Sequence, residues 1–223
     1  MSCAPCPFPA GTTLKGRYVT LAPLGAQHFD ALALQALADP GSFRYMRHGP
    51  FADREAATRY LESLSTRMFE PAWAVQPESS NAASGWLSLT DIAPDDAALE
   101  IGSIWFAPSL RRTRAATEAV HLLMGEAFDA LGYQRMAWRN LAANVASGAA
   151  AARFGFVFEG VWRQAAALKH RRHDVEWRSL LSGEWPARRA AVEAWLQLDN
   201  FDENGVQRRA LRDFSPQSSA GRA

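Results

Sequence analysis

The stretch "SLRRTRAATEAVHLLMGEAFDALGY", residues 109 to 133, sets Arg111, Arg112 and Arg114 at the point where a strong helical pattern begins. A helix N-terminus already carries partial positive charge from its unpaired backbone N–H groups, so cations there are unfavourable unless an anion joins them. A strand ending near Phe106, a short loop and this helix start would together form a nest of N–H groups able to hold phosphate oxygens, with the arginines adding charge-assisted contacts. The same arginines also fit a plain solvated helix face. A second helix start, "NVASGAAAARF", has Asn144 as a natural N-cap with Ser147 in the first turn.

The elements around these residues interleave strands and helices, with no repeat and no long linker. "GRYVTLAPL" alternates like a half-buried strand, and "AQHFDALALQALAD" and "DREAATRYLESLSTRMF", the latter capped by Asp53, repeat at helical spacing. "AWAVQ", "SGWLSLTDI" and "ALEIGSIWF" read as strands separated by turn residues at 79–81 and 94–96. From residue 111 the order is helix, strand "YQRMAWR", helix, strand "GFVFEGVW" and strand "HDVEWRSLL". Gly132 and Gly155 stand where helices stop. The pattern predicts an α/β (α+β) domain with a mixed central sheet of about six to seven strands flanked by helices.

With 223 residues, 48% hydrophobic and 21% charged, the chain can build one sizeable core. We expect a disordered tail over 1–12, a main domain over 13–186, a short helical extension over 187–213 containing "ARRAAVEAWLQL", and a disordered tail over 214–223. The extension could cover a cleft or build a homodimer contact. A net charge of only +1 argues against a general nucleic-acid binder, although residues 1–110 carry −4 and residues 111–223 carry +5. No run is long and apolar enough to span a bilayer, and "MSCAPCPFPAG" lacks the build of a secretory signal, so we expect a cytoplasmic protein without a membrane partner. Cys3 and Cys6 supply only half of a zinc site, and no metal is expected.

"RRTRAATEAV", "LGYQRMAWRNLAANVASGAAAARFGFVFEGVWRQ" and "RRHDVEWRSLLSGEWP" together resemble the GNAT superfamily of acetyl-CoA-dependent acetyltransferases, in its RimJ/RimL-like branch. The resemblance spans roughly residues 13–186 and implies the GNAT fold. It also implies that the loop of Arg111, Arg112, Thr113, Arg114, Ala115 and Ala116 holds the coenzyme A pyrophosphate. Arg111 and Ala116 match the family's Gln/Arg-x-x-Gly-x-Gly/Ala pattern, whereas Arg114 replaces a glycine.

By the same resemblance, backbone N–H groups around Ile104, Trp105, Phe106 and Ala107 would bind the cofactor arm and polarise the acetyl carbonyl. Trp105 and Trp138 would flank that cleft. Asn144 and Ser147 match the branch's Asn-x-x-Ser pattern, in which the serine protonates the departing thiolate; the alternative is simple capping. Acyl transfer to an amine further requires a neutral amine and a stabilised oxyanion. The branch's glutamate base aligns with Ala166. Glu100 matches an acidic position that other GNAT enzymes use as a base, or else is an arginine's partner, and Asp174 is a second candidate. His48 lies in a loop that borders the acceptor pocket in this fold. The "LKHRRHD" cluster reads as a solvated hairpin turn and His121 as a surface residue. The activity implied is direct transfer of acetyl to a primary amine, either a protein or peptide N-terminus or a small amino compound. An antibiotic or polyamine acetyltransferase and a non-catalytic acyl-CoA-binding protein are the alternatives.

Overall fold

A computed structural model describes residues 5–80 and 82–214. The chain forms β1 (Leu14–Lys15), β2 (Val19–Pro23), α1 (Ala26–Ala38), α2 (Arg54–Ser65), β3 (Ala72–Pro77), β4 (Gly85–Ala93) and β5 (Ala98–Phe106). It continues through α3 (Arg114–Gly125), β6 (Arg135–Leu141), α4 (Val145–Arg153), β7 (Val157–Leu168), β8 (Arg171–Leu181) and α5 (Trp185–Trp195). Eight strands make one mixed sheet in the order β1-β2-β3-β4-β5-β6-β8-β7, one strand more than the pattern predicts. The extra one is β1, whose two residues are too short to show a period.

Helices cover both faces of the sheet. Ala119, Leu123 and Met124 of α3 and Ala151 of α4 pack on Trp73, Leu87, Ile101 and Met136, while α1 and α2 bring Leu32 and Leu61 onto the opposite face, against Phe43, Trp86 and Trp105. Asp53 caps α2 by accepting from Ala56 N at 2.8 Å, and Asn144 caps α4 by accepting from Ser147 N at 3.3 Å. Helix α3 continues into a π-turn over Glu126–Ala130, and Gly132 closes the segment at φ +76°.

The pairing that opens the site is β5 with β6, the parallel pair among the described strands. It covers Ala98, Leu99 and Glu100 against Arg135, Met136 and Ala137 and goes no further. Beyond Glu100 and Ala137 the two strands diverge, so the wedge between them is not closed by backbone bonding. On its far side β6 remains paired with β8 all the way to Leu141.

The N-terminal segment is more ordered than expected where it is described. Cys6 N donates to Pro94 O at 3.1 Å, Trp73 Nε1 donates to Thr12 O at 2.7 Å, and the Phe8 and Phe69 rings meet edge-on. Residues 6–12 therefore lie along the domain instead of forming a loose tail. The helix of the extension starts at Trp185, and Trp195, Leu196, Phe201 and Leu211 form a third apolar cluster that Tyr18 and Phe214 join. Residues 1–4 and 215–223, including Cys3 and the predicted C-terminal tail beyond Phe214, lie outside the described residues.

Candidate active site

The wedge between β5 and β6 holds a cavity of about 460 Å³. Glu100, Ile104, Asn144, Ser147 and His48, all expected at the site, line it together. Opposite β5 it is walled by Trp138, Arg139, Trp162, Ala165, Ala166 and Trp177. The tip of the β7–β8 hairpin reaches across its mouth, where Lys169 Nζ donates to Phe43 O at 2.5 Å. The "LKHRRHD" cluster is therefore strand for most of its length, with Lys169 and His170 alone at the turn, both at positive φ as a two-residue hairpin demands.

Glu100 sits at the apex of the wedge, with its side chain only 8% exposed, and forms an ion pair with Arg139 Nε. Arg139 also bonds Asp91 and lies over the Trp177 ring at 4.9 Å. Burial pushes the Glu100 carboxyl up to about 7 despite the opposing pull of Arg139, because a buried carboxylate loses hydration that one ion pair does not replace. Glu100 is thus an arginine's partner, and its raised pKa is compatible with the base reading as well. Arg139 itself went unnoticed in the sequence; its position directly after Trp138 on the strand flanking the wedge is the signal that could have found it.

Strand β5 carries a bulge in the cavity wall. Trp86 pairs with Trp105 and Ser88 with Gly102, so Ser103 and Ile104 together face Leu87, and Ser103 takes φ +50°. A bulge leaves one residue outside the ladder, and here Gly102, Ser103 and Ile104 line the cavity. Trp105 does not. Strand alternation turns it to the opposite face, where it is 2% exposed, stacks on Trp86 at 4.4 Å and donates to Ser42 Oγ at 2.8 Å. Phe106 and Ala107 are likewise engaged: Phe106 O accepts from Arg111 Nε at 2.8 Å, and Ala107 N donates to Ser84 O at 2.8 Å.

The Arg111–Ala116 loop lies outside the cavity lining, and its three arginines differ in use. Arg111 pairs with Asp39 at 2.5 Å and braces the end of β5. Arg114 points away towards the extension, its guanidinium between the rings of Tyr18 at 4.8 Å and Phe201 at 4.6 Å. Arg112 is exposed, sits at φ +62° and has no partner among the described residues. Thr113 caps α3 by accepting from Ala116 N at 3.1 Å, and the first-turn N–H groups of Arg114 and Ala115 have no acceptor within the helix. The loop thus leaves those two backbone donors and Arg112 without a partner among the described residues, and the Arg114 side chain is held clear of them.

Asp174 is not in the cavity. It is exposed, and its Oδ1 accepts from Gln164 N at 2.7 Å, pinning a bulge in β7 where Gln164 takes φ +51°. That bulge carries Ala165 and Ala166 into the cavity wall, so Asp174 shapes the site from behind. His48 stacks on Tyr60 at 4.0 Å, and burial, with Arg67 and Lys169 nearby, drops it to about 3, which keeps the ring neutral. His121 is not a surface group: it packs against Trp185 at 5.4 Å, and burial lowers its pKa.

The family model for the acetyltransferase (GNAT) domain matches residues 19–157, more than half of the chain. The chain belongs to the GNAT acetyltransferase family. A GCN5-related N-acetyltransferase from Brucella melitensis is 39% identical, with a TM-score of 0.93 over 95% of this chain and 97% of that one. A probable GNAT-family acetyltransferase from Chromobacterium violaceum is also 39% identical, with a TM-score of 0.78 over 82% and 92%. At 20% identity, the microcin C7 self-immunity acetyltransferase MccE, solved with acetyl-CoA and AMP, shares the fold, with a TM-score of 0.67 over 74% and 93%. At 22%, so does a Salmonella typhimurium enzyme that modifies the N-terminal serine of the ribosomal protein L7/L12, with a TM-score of 0.66 over 74% and 96%. A search of curated proteins finds no match. No helix among the described residues is long and apolar enough to cross a membrane.

Proposed function

We propose that this GNAT acetyltransferase transfers acetyl from acetyl-CoA to a primary amine by direct attack, in the cavity between β5 and β6. The observation that carries the reading is that Glu100 and Ser147, one poised to take a proton and one able to give one, line the same cavity beside the Ser103–Ile104 bulge. Acetyl-CoA would supply the acetyl thioester. The first-turn N–H groups of α3 and Arg112 would hold its pyrophosphate, and the bulged backbone at Ser103–Ile104 would receive its arm. Glu100, held near neutrality, accepts the amine's proton directly or through water. Ser147 meets the sulfur as it leaves. Cys6 donates to Gly132 O at the far side of the domain and offers no acyl-enzyme route.

The cavity's charges favour an α-amine of a peptide or a small amino compound over a polycation. Arg47, Arg67 and Arg139 are matched by Glu70, Asp91 and Glu100, and two of those carboxylates are tied to Arg139. A polyamine or aminoglycoside would need surplus carboxylates that this wall does not supply. The Asn144-x-x-Ser147 pattern supports placement in the RimJ/RimL-like branch, and the Salmonella enzyme of the same fold modifies a protein's N-terminal serine.

Ser147→Ala tests the reading. Turnover under conditions where chemistry limits the rate should fall, while acetyl-CoA affinity by calorimetry stays within about twofold, because the hydroxyl acts only as the thiolate departs. Wild-type turnover in that variant would return Ser147 to a capping role.

A further inference from the structure

Trp138 stands on β6 at the first position past its pairing with β5, where the wedge opens. Phe154, 6.3 Å away and nearly parallel, and Phe156, 5.4 Å away and edge-on, hold its ring, which is 6% exposed. Its indole Nε1 lies 3.0 Å from Ser147 Oγ. An indole nitrogen can only donate, so the direction of this bond is fixed: Ser147 Oγ accepts, and its own hydrogen must point elsewhere. Serines in helices often spend that hydrogen on a carbonyl one turn back, yet among the described residues the Ser147 hydroxyl has no acceptor. The side chain faces the cavity with its proton free.

We propose that Trp138 is a positioning residue for the leaving group: its N–H occupies an Oγ lone pair, aims the Ser147 proton into the cavity and makes that proton more acidic. The proposal rests on Ser147 as the group that meets the departing sulfur. As the amine nitrogen bonds to the acetyl carbon and gives its proton to Glu100, the C–S bond breaks and its electron pair goes to sulfur. The Ser147 hydrogen moves towards that sulfur and solvent replaces it, so overall the amine loses one proton and the thiol gains one. A neighbouring donor makes a hydroxyl a better donor in turn, because successive hydrogen bonds polarise one another.

Two readouts separate this from mere packing. In the free protein, the Trp138 indole ¹H–¹⁵N resonance should shift on Ser147→Ala more than those of the other seven tryptophans. In single-turnover kinetics, Trp138→Phe should slow acetyl transfer about fivefold to tenfold, the worth of one hydrogen bond, with acetyl-CoA affinity within about twofold. In a Ser147→Ala background the same substitution should cost nothing further, since the pair acts as a unit. If Trp138→Phe is poorly folded, β-(3-benzothienyl)alanine at position 138 keeps the ring shape, removes only the N–H and should give the same loss. Slow Ser147→Ala with an unaffected or fully additive Trp138 variant overturns the proposal alone. Full-speed Ser147→Ala overturns the serine reading and takes the proposal with it.

Discussion

Glu100→Gln keeps the shape of the side chain and removes its basicity, and its effect should depend on pH in a particular way. Burial holds the Glu100 carboxyl at about 7, so the wild-type rate at low acceptor concentration should rise with pH and level off above that value. Losing a general base costs about a hundredfold to ten-thousandfold where the base is needed. An α-amine with a pKa near 8 is only about one-tenth neutral at pH 7, and a lysine-like amine near 10.4 is neutral on the order of once in a few thousand molecules. Above the acceptor's pKa the amine arrives without its proton, and the variant should close most of the gap. The assay is initial thiol release from acetyl-CoA over roughly pH 5.5 to 10, with wild type and variant on one acceptor. Curves separated by a constant factor at every pH, or an unchanged profile, would refute the assignment of Glu100 as the base.

The remaining predictions use other contacts. Because the folded carboxyl of Glu100 binds its proton more tightly than an unfolded one, its protonated form stabilises the fold at low pH, and that contribution is lost as pH rises from about 4.5 to about 7. Urea unfolding should therefore show Glu100→Gln gaining on wild type between pH 4 and pH 8 by up to about 3 kcal/mol, at about 1.4 kcal/mol per pKa unit; an equal gap at both pH values would contradict this. Arg112→Glu should weaken acetyl-CoA binding about threefold to tenfold and flatten its salt dependence in calorimetry, whereas Arg111→Glu should mainly lower thermal stability by setting two carboxylates together with Asp39. Asp174→Ala should raise the acceptor KM severalfold through the β7 bulge and leave the pH profile of kcat unchanged.

What the sequence disclosed divides along the range of the interactions involved. Periodicity and caps are local, so the strand of Glu100 and the Asn144–Ser147 first turn stood where the pattern put them, whereas the helix expected from residue 111 begins at Arg114 behind a Thr113 cap. The alternation of β5 was equally local, yet Trp105 was placed in the cleft because the bulge at Ser103–Ile104, which fixes which backbone faces it, leaves no mark in residue type: Ser103 has a positive φ without being glycine. Side-chain partners set by topology were out of reach. Asp39 lies far up the chain from Arg111, and Phe201 far down it from Arg114, and only the folded sheet brings either to the α3 loop. Asp174 was a plausible base by residue type alone; its hydrogen bond to Gln164 N depends on a β7 bulge that could not be read beforehand.

The central claim, direct transfer of acetyl to an amine in the β5–β6 cavity, is tested most directly by an acceptor screen with acetyl-CoA. Peptides with free N-termini, amino acids, polyamines and aminoglycosides would be compared by thiol release, with each product weighed by mass spectrometry. The account predicts thiol release that requires an amine, a product one acetyl group heavier on its nitrogen, the largest rates among α-amines, and loss of that rate in Ser147→Ala. An acetylated protein formed without acceptor, or acetyl-CoA that binds and persists across the whole panel, would contradict it.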